Sequence, residues 1–154
     1  MLLTNFMAPN SVVPLLRAKN KKQLLQELSA RAARLTGIPE RDIFDVLLQR
    51  ERLGSTGLGH GVAIPHGKLQ GLKRIAGVFA RLAEPIDFDA IDGEKVDIVV
   101  LLLAPEGAGA DHLKALARIS RLLREGHAVD KLRASRDAAA IYAVLTEGAT
   151  SHAA

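Results

Sequence analysis

The stretch Val96-Asp97-Ile98-Val99-Val100-Leu101-Leu102-Leu103-Ala104 constrains this chain more than any other. After Asp97 it is apolar at every position, so a strand built from it has no face that belongs in water. Such a run reads as a central strand covered on both sides, and Pro105-Glu106-Gly107 ends it. The covers have to be helices, and the chain supplies them. Leu24, Leu25, Leu28, Ala32 and Leu35 repeat at helical spacing over 21–36, with Asn20 as N-cap and Gly37 as the stop. Pro39, Glu40 and Asp42 open a second helix that runs to about Arg52, with Ile43, Val46, Leu47 and Phe44 on its apolar side.

A helix over about 112–125 is expected after the central strand, capped by Asp111, with Leu113, Leu116, Ile119 or Ser120, and Leu123 inward. Shorter helices follow over about 128–134 and 137–146, the last capped by Ser135. Two more strands are read at 11–17, where Pro14 suits an edge position, and at 75–82. Residues 83–95 read as a turn-rich connection, and the small polar tail 148–154 is expected to be disordered. Helices alternating with buried strands predict a three-layer α/β domain over 5–147, with a sheet of about five strands.

The 154 residues suffice for one domain with a sizeable core. Aromatics are only 3% of the chain, so that core is aliphatic. Cysteine is absent, which removes thiol nucleophiles, disulfides and thiolate metal sites and suits a reducing cytoplasm. No apolar run approaches the ~20 residues of a membrane span, and the first residues lack the features of a signal peptide. The net charge of +4 raises the question of nucleic acid. Its basic residues are dispersed among acids, and the row Arg118, Arg121, Arg124 reads as a solvated helix face without the aromatics that stack bases. No nucleic-acid partner and no membrane insertion are expected.

Chemistry points to Gly61-Val62-Ala63-Ile64-Pro65-His66-Gly67. Three apolar residues read as a short buried strand that Pro65 stops, because proline has no backbone donor and a fixed φ. His66 is then delivered at a strand end, and Gly67 leaves room for a reactant to approach. A histidine side chain, with a reference pKa of ~6.5, is mostly neutral at pH 7 and keeps one ring nitrogen free to attack. A polar strand cap is the plainer use of such a residue. The preceding glycines, Gly54, Gly57, Gly59 and Gly61, mark a loop that lacks the Gly-Lys-Ser/Thr ending of a nucleotide-binding P-loop. Neither Gly-x-Ser-x-Gly nor a converging set of three or four metal ligands is present, so a serine hydrolase and a zinc site are not expected.

The longer run Gly54-Ser55-Thr56-Gly57-Leu58-Gly59-His60-Gly61-Val62-Ala63-Ile64-Pro65-His66-Gly67-Lys68 resembles the phosphorylation-site signature of the fructose/mannitol-type enzyme IIA domain of the bacterial phosphoenolpyruvate phosphotransferase system. Together with Phe88-Asp89-Ala90-Ile91-Asp92, the Gly-Ser-Thr-Gly opening looks most like the nitrogen-regulatory branch. The resemblance spans roughly residues 5 to 145. It implies a mostly parallel sheet with helices on both sides and a phosphotransferase component that carries a phosphoryl group on His66, at Nε2. It also implies Arg50, in Arg50-Glu51-Arg52-Leu53-Gly54, as a stabiliser of the phosphoryl group, and His112 as a second active-site histidine. A guanidinium grips a phosphoryl group with two parallel donors, which lysine cannot, although a helix-end arginine more commonly faces solvent. Ser55 and Thr56 are candidate phosphate donors or, equally, turn formers; Lys68 adds positive potential, His60 is a minor candidate because the resembling family tolerates other polar residues there, and His127 and His152 are incidental.

The expected partner is a small histidine-containing phosphocarrier of the nitrogen type, with no cofactor, since its phosphohistidine is already activated. No attached IIB or IIC domain follows, which favours a regulatory output selected by phosphorylation state. The alternatives are a non-covalent regulatory binding module using the same cleft, and a sugar-transport IIA component working with separate IIB and IIC chains.

Overall fold

The structure, a computed structural model, describes residues 1–153, and their side chains as far as Glu147. The tail expected from Gly148 lies outside the residues whose side chains are described. Two 3-10 turns, Leu3–Asn5 and Pro9–Ser11, lead into strand β1 (Val12–Leu16). Helices α1 (Lys21–Thr36) and α2 (Glu40–Arg52) follow, then three short strands, β2 (Gly57–Gly59), β3 (Val62–Ala63) and β4 (His66–Leu69). Two long strands, β5 (Ala76–Ile86) and β6 (Val96–Pro105), precede helices α3 (Ala110–Arg124), α4 (Gly126–Ala134) and α5 (Ala138–Ala153).

The expected central strand is β6, which pairs with β5 on one side and with both β3 and β4 on the other. The sheet has six strands in the order β1-β5-β6-β3-β2, with β4 beside β6 beyond β3, and β1 takes the edge position that Pro14 allows. It is mixed: β1–β5, β3–β6 and β4–β6 are parallel, whereas β5–β6 and β2–β3 are antiparallel. The antiparallel β5–β6 pair absorbs the first residues of the connection expected over 83–95, because β5 continues to Ile86, opposite Val96.

Side chains alternate across β6 as the pleat requires. Val99, Leu101 and Leu103 pack with Leu24, Leu25, Leu28, Ile43 and Leu47 of α1 and α2. Ile98, Val100 and Leu102 pack with Ala115, Ile119 and Leu123 of α3, Leu132 of α4, and Ile141 and Leu145 of α5. The apolar run is thus divided between two cores, one on each face, which is why it tolerates no polar position after Asp97.

The ends of the helices refine the sequence reading. Asn20 caps α1, its Oδ1 accepting from the Gln23 N–H at 2.8 Å, and Gly37 closes it with φ 77°. Pro39 is the N-cap of α2 and not a first-turn residue. Asp111 is not a cap: α3 starts at Ala110 after Gly109, so Asp111 lies in the first turn, where its charge favours the N-terminus. Asp137, and not Ser135, caps α5, its carboxylate accepting from the Ala140 N–H at 3.0 Å. Leu113 is 68% exposed because the inward stripe of α3 runs His112, Ala115, Ile119, Leu123. A histidine at the head of that stripe, with Leu113 turned outward, reverses the expectation from hydrophobicity.

Candidate functional site

Pro65 interrupts the strand that leads to His66 without ending it. β3 and β4 keep the same register against β6 on either side of the gap, and the Pro65 carbonyl still accepts from the Leu102 N–H at 3.0 Å. Only the donor that proline lacks is missing from the ladder. His66 therefore opens β4 and does not close a strand. Its ring Nδ1 is 2.8 Å from the Ile64 carbonyl oxygen. A carbonyl can only accept, so Nδ1 carries the proton and Nε2 keeps its lone pair. The ring is half-buried, and its neighbours are set by which side of the sheet each element covers.

On one side stands α3. His112 projects from its first turn toward the sheet, with its ring centroid 5.9 Å from that of His66 and the planes at 64°, an edge-on contact. His112 is only 7% exposed, and among the described residues its Nε2 is a buried ring nitrogen without a hydrogen-bond partner. Burial, then the nearby His66 ring and Lys68 ammonium, push its pKa below the ordinary histidine value. His112 is thereby held neutral.

On the other side stands α2. Gly67 is buried and admits α2, since a Cβ there would run into Cγ1 of Val46. The glycine thus serves helix packing, not the open approach for a reactant expected from the sequence. That close packing carries the C-terminal turn of α2 to the site, where Arg50 donates from Nη1 to the Gly54 carbonyl at 2.9 Å. Arg50, Gln49, Leu53, His66, Lys68 and His112 line one open cleft. Leu53 at its rim is 86% exposed.

Three of the predicted site residues, His66, Arg50 and His112, are therefore brought together. Ser55 and Thr56 do not line this cleft. The Ser55 hydroxyl donates to the Phe88 carbonyl at 2.7 Å and accepts from the Gly57 N–H at 3.1 Å. The Thr56 hydroxyl is buried and donates to Oε2 of Glu51 in a very short bond. Both hydroxyls are engaged in shaping the loop between α2 and β2, the turn-forming alternative. Gln49 and Glu51 were not singled out by sequence reasoning. Flanking an arginine on an amphipathic helix, they look like ordinary solvated polar residues.

His60 lies in a different place. With φ 56° it turns the loop between β2 and β3, its N–H donating to Oδ2 of Asp92 at 2.9 Å. That bond and a second from the Glu94 N–H lower the pKa of the Asp92 carboxyl. His60, Asp92 and Glu94 bring their potential ligand atoms within 4.8 Å of one another, and all three are exposed. The trio escaped the sequence reading because its carboxylates come from a loop some thirty residues further on.

The profile of the family described as "Phosphoenolpyruvate-dependent sugar phosphotransferase system, EIIA 2" matches residues 5–148. A nitrogen regulatory protein of Bradyrhizobium diazoefficiens is 64% identical over 145 residues, covering 94% of this chain and 95% of that protein. The nitrogen regulatory protein of Escherichia coli strain K12 is 38% identical over 130 residues, covering 84% and 80%. Among solved structures, the crystal structure of nitrogen regulatory protein IIA-Ntr from Neisseria meningitidis superimposes with a TM-score of 0.86 at 37% identity, covering 90% of this chain and 95% of that one.

Proposed function

The chain belongs to the EIIA type 2 family of the phosphoenolpyruvate-dependent sugar phosphotransferase system, and from that premise we propose that it is a nitrogen-regulatory phosphoryl carrier working through His66. The observation that carries this reading is the bond from Nδ1 of His66 to the Ile64 carbonyl, which leaves Nε2 as the nucleophilic nitrogen.

In the proposed reaction the phosphohistidine of a small carrier protein docks over the cleft. The Nε2 lone pair of His66 attacks phosphorus, the Nε2–P bond forms, and the donor's N–P bond breaks with its electron pair returning to the donor ring. Nδ1–H stays on the Ile64 carbonyl throughout, so the positive charge that develops on the His66 ring faces a fixed dipole and no proton has to leave. The transferred group spreads negative charge over three oxygens, and catalysis is chiefly positioning and charge stabilisation. Arg50 supplies a forked pair of donors from α2. His112, kept neutral by burial, supplies a ring N–H, and Lys68 adds positive potential at the rim.

The output of such a carrier is regulatory: a −2 group at the mouth of the cleft changes which protein the surface accepts. We place this exchange in the cytoplasm, with the carrier; among the described residues no helix is long and apolar enough to cross a membrane. The test is transfer of label from the phosphorylated carrier to wild type, His66→Ala and Arg50→Ala. No label on His66→Ala and slowed labelling of Arg50→Ala are expected. Equal labelling of all three overturns the site. An unlabelled wild type that still binds partners leaves a non-covalent binding module.

A further inference from the structure

Glu51 is a carboxylate with 8% exposure in the last turn of α2, next to Arg50, and the reaction just described does not use it. A buried carboxylate is costly unless its oxygens are paired, and this one is paired three ways. Oε1 accepts from the Thr56 N–H at 3.1 Å and lies 3.0 Å from the Lys21 ammonium, while Oε2 takes the Thr56 hydroxyl. Lys21 is itself held 4.5 Å over the ring of Phe88, whose carbonyl takes the Ser55 hydroxyl. From Thr56 the path continues. Its carbonyl accepts from the Ile64 N–H at 3.1 Å, and the Ile64 carbonyl accepts from Nδ1 of His66 at 2.8 Å. An unbroken series of bonds therefore runs from an ion pair between the first turn of α1 and the last turn of α2 to the reacting imidazole.

We propose that Glu51 is a positioning residue: through Thr56 and Ile64 it fixes the carbonyl that holds His66 with Nε2 unprotonated, and it anchors the turn of α2 from which Arg50 reaches the cleft. The proposal rests on His66 being the phosphoryl acceptor only for its catalytic consequence; the tautomer it predicts exists with or without transfer. The Gly-Ser-Thr-Gly segment gains a physical meaning from it. Thr56 is the link between the carboxylate and β3, and it is placed by glycines on either side of the Ser55-Thr56 pair.

Two variants test this. Glu51→Gln keeps the shape and the acceptor for the Thr56 N–H but loses the attraction to Lys21; Glu51→Ala removes every bond. Histidine ring 15N shifts are read at about pH 8.5, above the usual imidazole titration near ~6.5, together with amide hydrogen exchange at Ile64 and at the remote core residue Val100. Wild type should show His66 in the single Nδ1–H form. Glu51→Gln should keep that form while Ile64 exchanges faster relative to Val100. Glu51→Ala should show a mixture of tautomers and a transfer rate lower by roughly tenfold or more, the usual scale for loss of a supporting contact.

A purely structural role lowers overall stability and moves Ile64 and Val100 together, leaving the tautomer unchanged. That result in either folded variant overturns the proposal, as does a wild-type ring protonated on Nε2. If Glu51→Ala does not fold, the Ile64 exchange in Glu51→Gln decides alone. A wild type that accepts no phosphoryl group refutes the carrier reading, while the ring shifts still decide the role of Glu51.

Discussion

Replacing Gly67 by alanine tests how the cleft is assembled. The backbone at Gly67 is not in the left-handed region, so alanine meets no φ penalty there. The smaller conformational freedom of the unfolded alanine chain even favours the variant by about 0.4–1 kcal/mol. Against this, the new Cβ would overlap Cγ1 of Val46 on α2, and overpacking of one methyl in a close-packed interior costs typically 1–3 kcal/mol. The contact is between a strand and a helix, not with a flexible chain end, so overpacking wins. The net loss is about 1–2 kcal/mol, or roughly 2–8 °C in Tm for a domain of this size. Thermal unfolding of wild type, Gly67→Ala, Val46→Ala and the double variant forms a cycle. The double variant should be more stable than the sum of the two single changes predicts. Because α2 carries Arg50, Gly67→Ala should also slow phosphoryl transfer, and Val46→Ala should restore part of the rate. A Gly67→Ala protein as stable as wild type, or additive effects in the cycle, would refute the packing argument.

Other outcomes follow from the same geometry. His112 has its pKa lowered in the folded state, so the native protein binds fewer protons than the unfolded chain below ~6.5. The stability it contributes is complete above that pH and is lost as pH falls through its lowered value. The groups facing it are His66 and Lys68, and replacing His112 should flatten the difference. Urea unfolding of wild type and His112→Gln between pH 7.5 and about 5 should show the wild type losing more stability on acidification; parallel curves would contradict this. Asn20→Ala removes the α1 cap and should cost about 1 kcal/mol, seen as a Tm lower by roughly 2–4 °C, with no change in transfer rate at saturating carrier.

Much of this fold was legible because its central strand is apolar on both faces and its first two helices carry their own start and stop signals. The six-stranded mixed sheet agrees with the expected three-layer α/β class, but strand direction was less legible. Whether β5 runs with β6 or against it leaves no trace in the periodicity of Ile75–Leu82, and the extension to Ile86 is settled by pairing with Val96. The cleft was readable mainly through the resemblance, which singled out His66, Arg50 and His112; on the residues alone an arginine at a helix end is an ordinary solvated side chain. Where the answer depends on a distant neighbour, the sequence was silent. Gly67 looks like room for a reactant until Val46 is seen to fill that space. Thr56 looks like a phosphate donor until Glu51 takes its hydroxyl. Leu113 looks inward because leucine usually is, but the geometry of α3 gives that stripe to His112, which lies edge-on to the His66 ring.

The claim on which the account depends is that the Ile64 carbonyl commits one ring nitrogen of His66 and leaves the other for chemistry. Wild-type protein labelled with 15N-histidine, phosphorylated by its carrier and examined by 31P and 15N NMR, reports which nitrogen bears phosphorus. Attachment at Nε2, with Nδ1 still protonated, is the predicted result. Phosphorus on Nδ1, or on a residue other than His66, would contradict it.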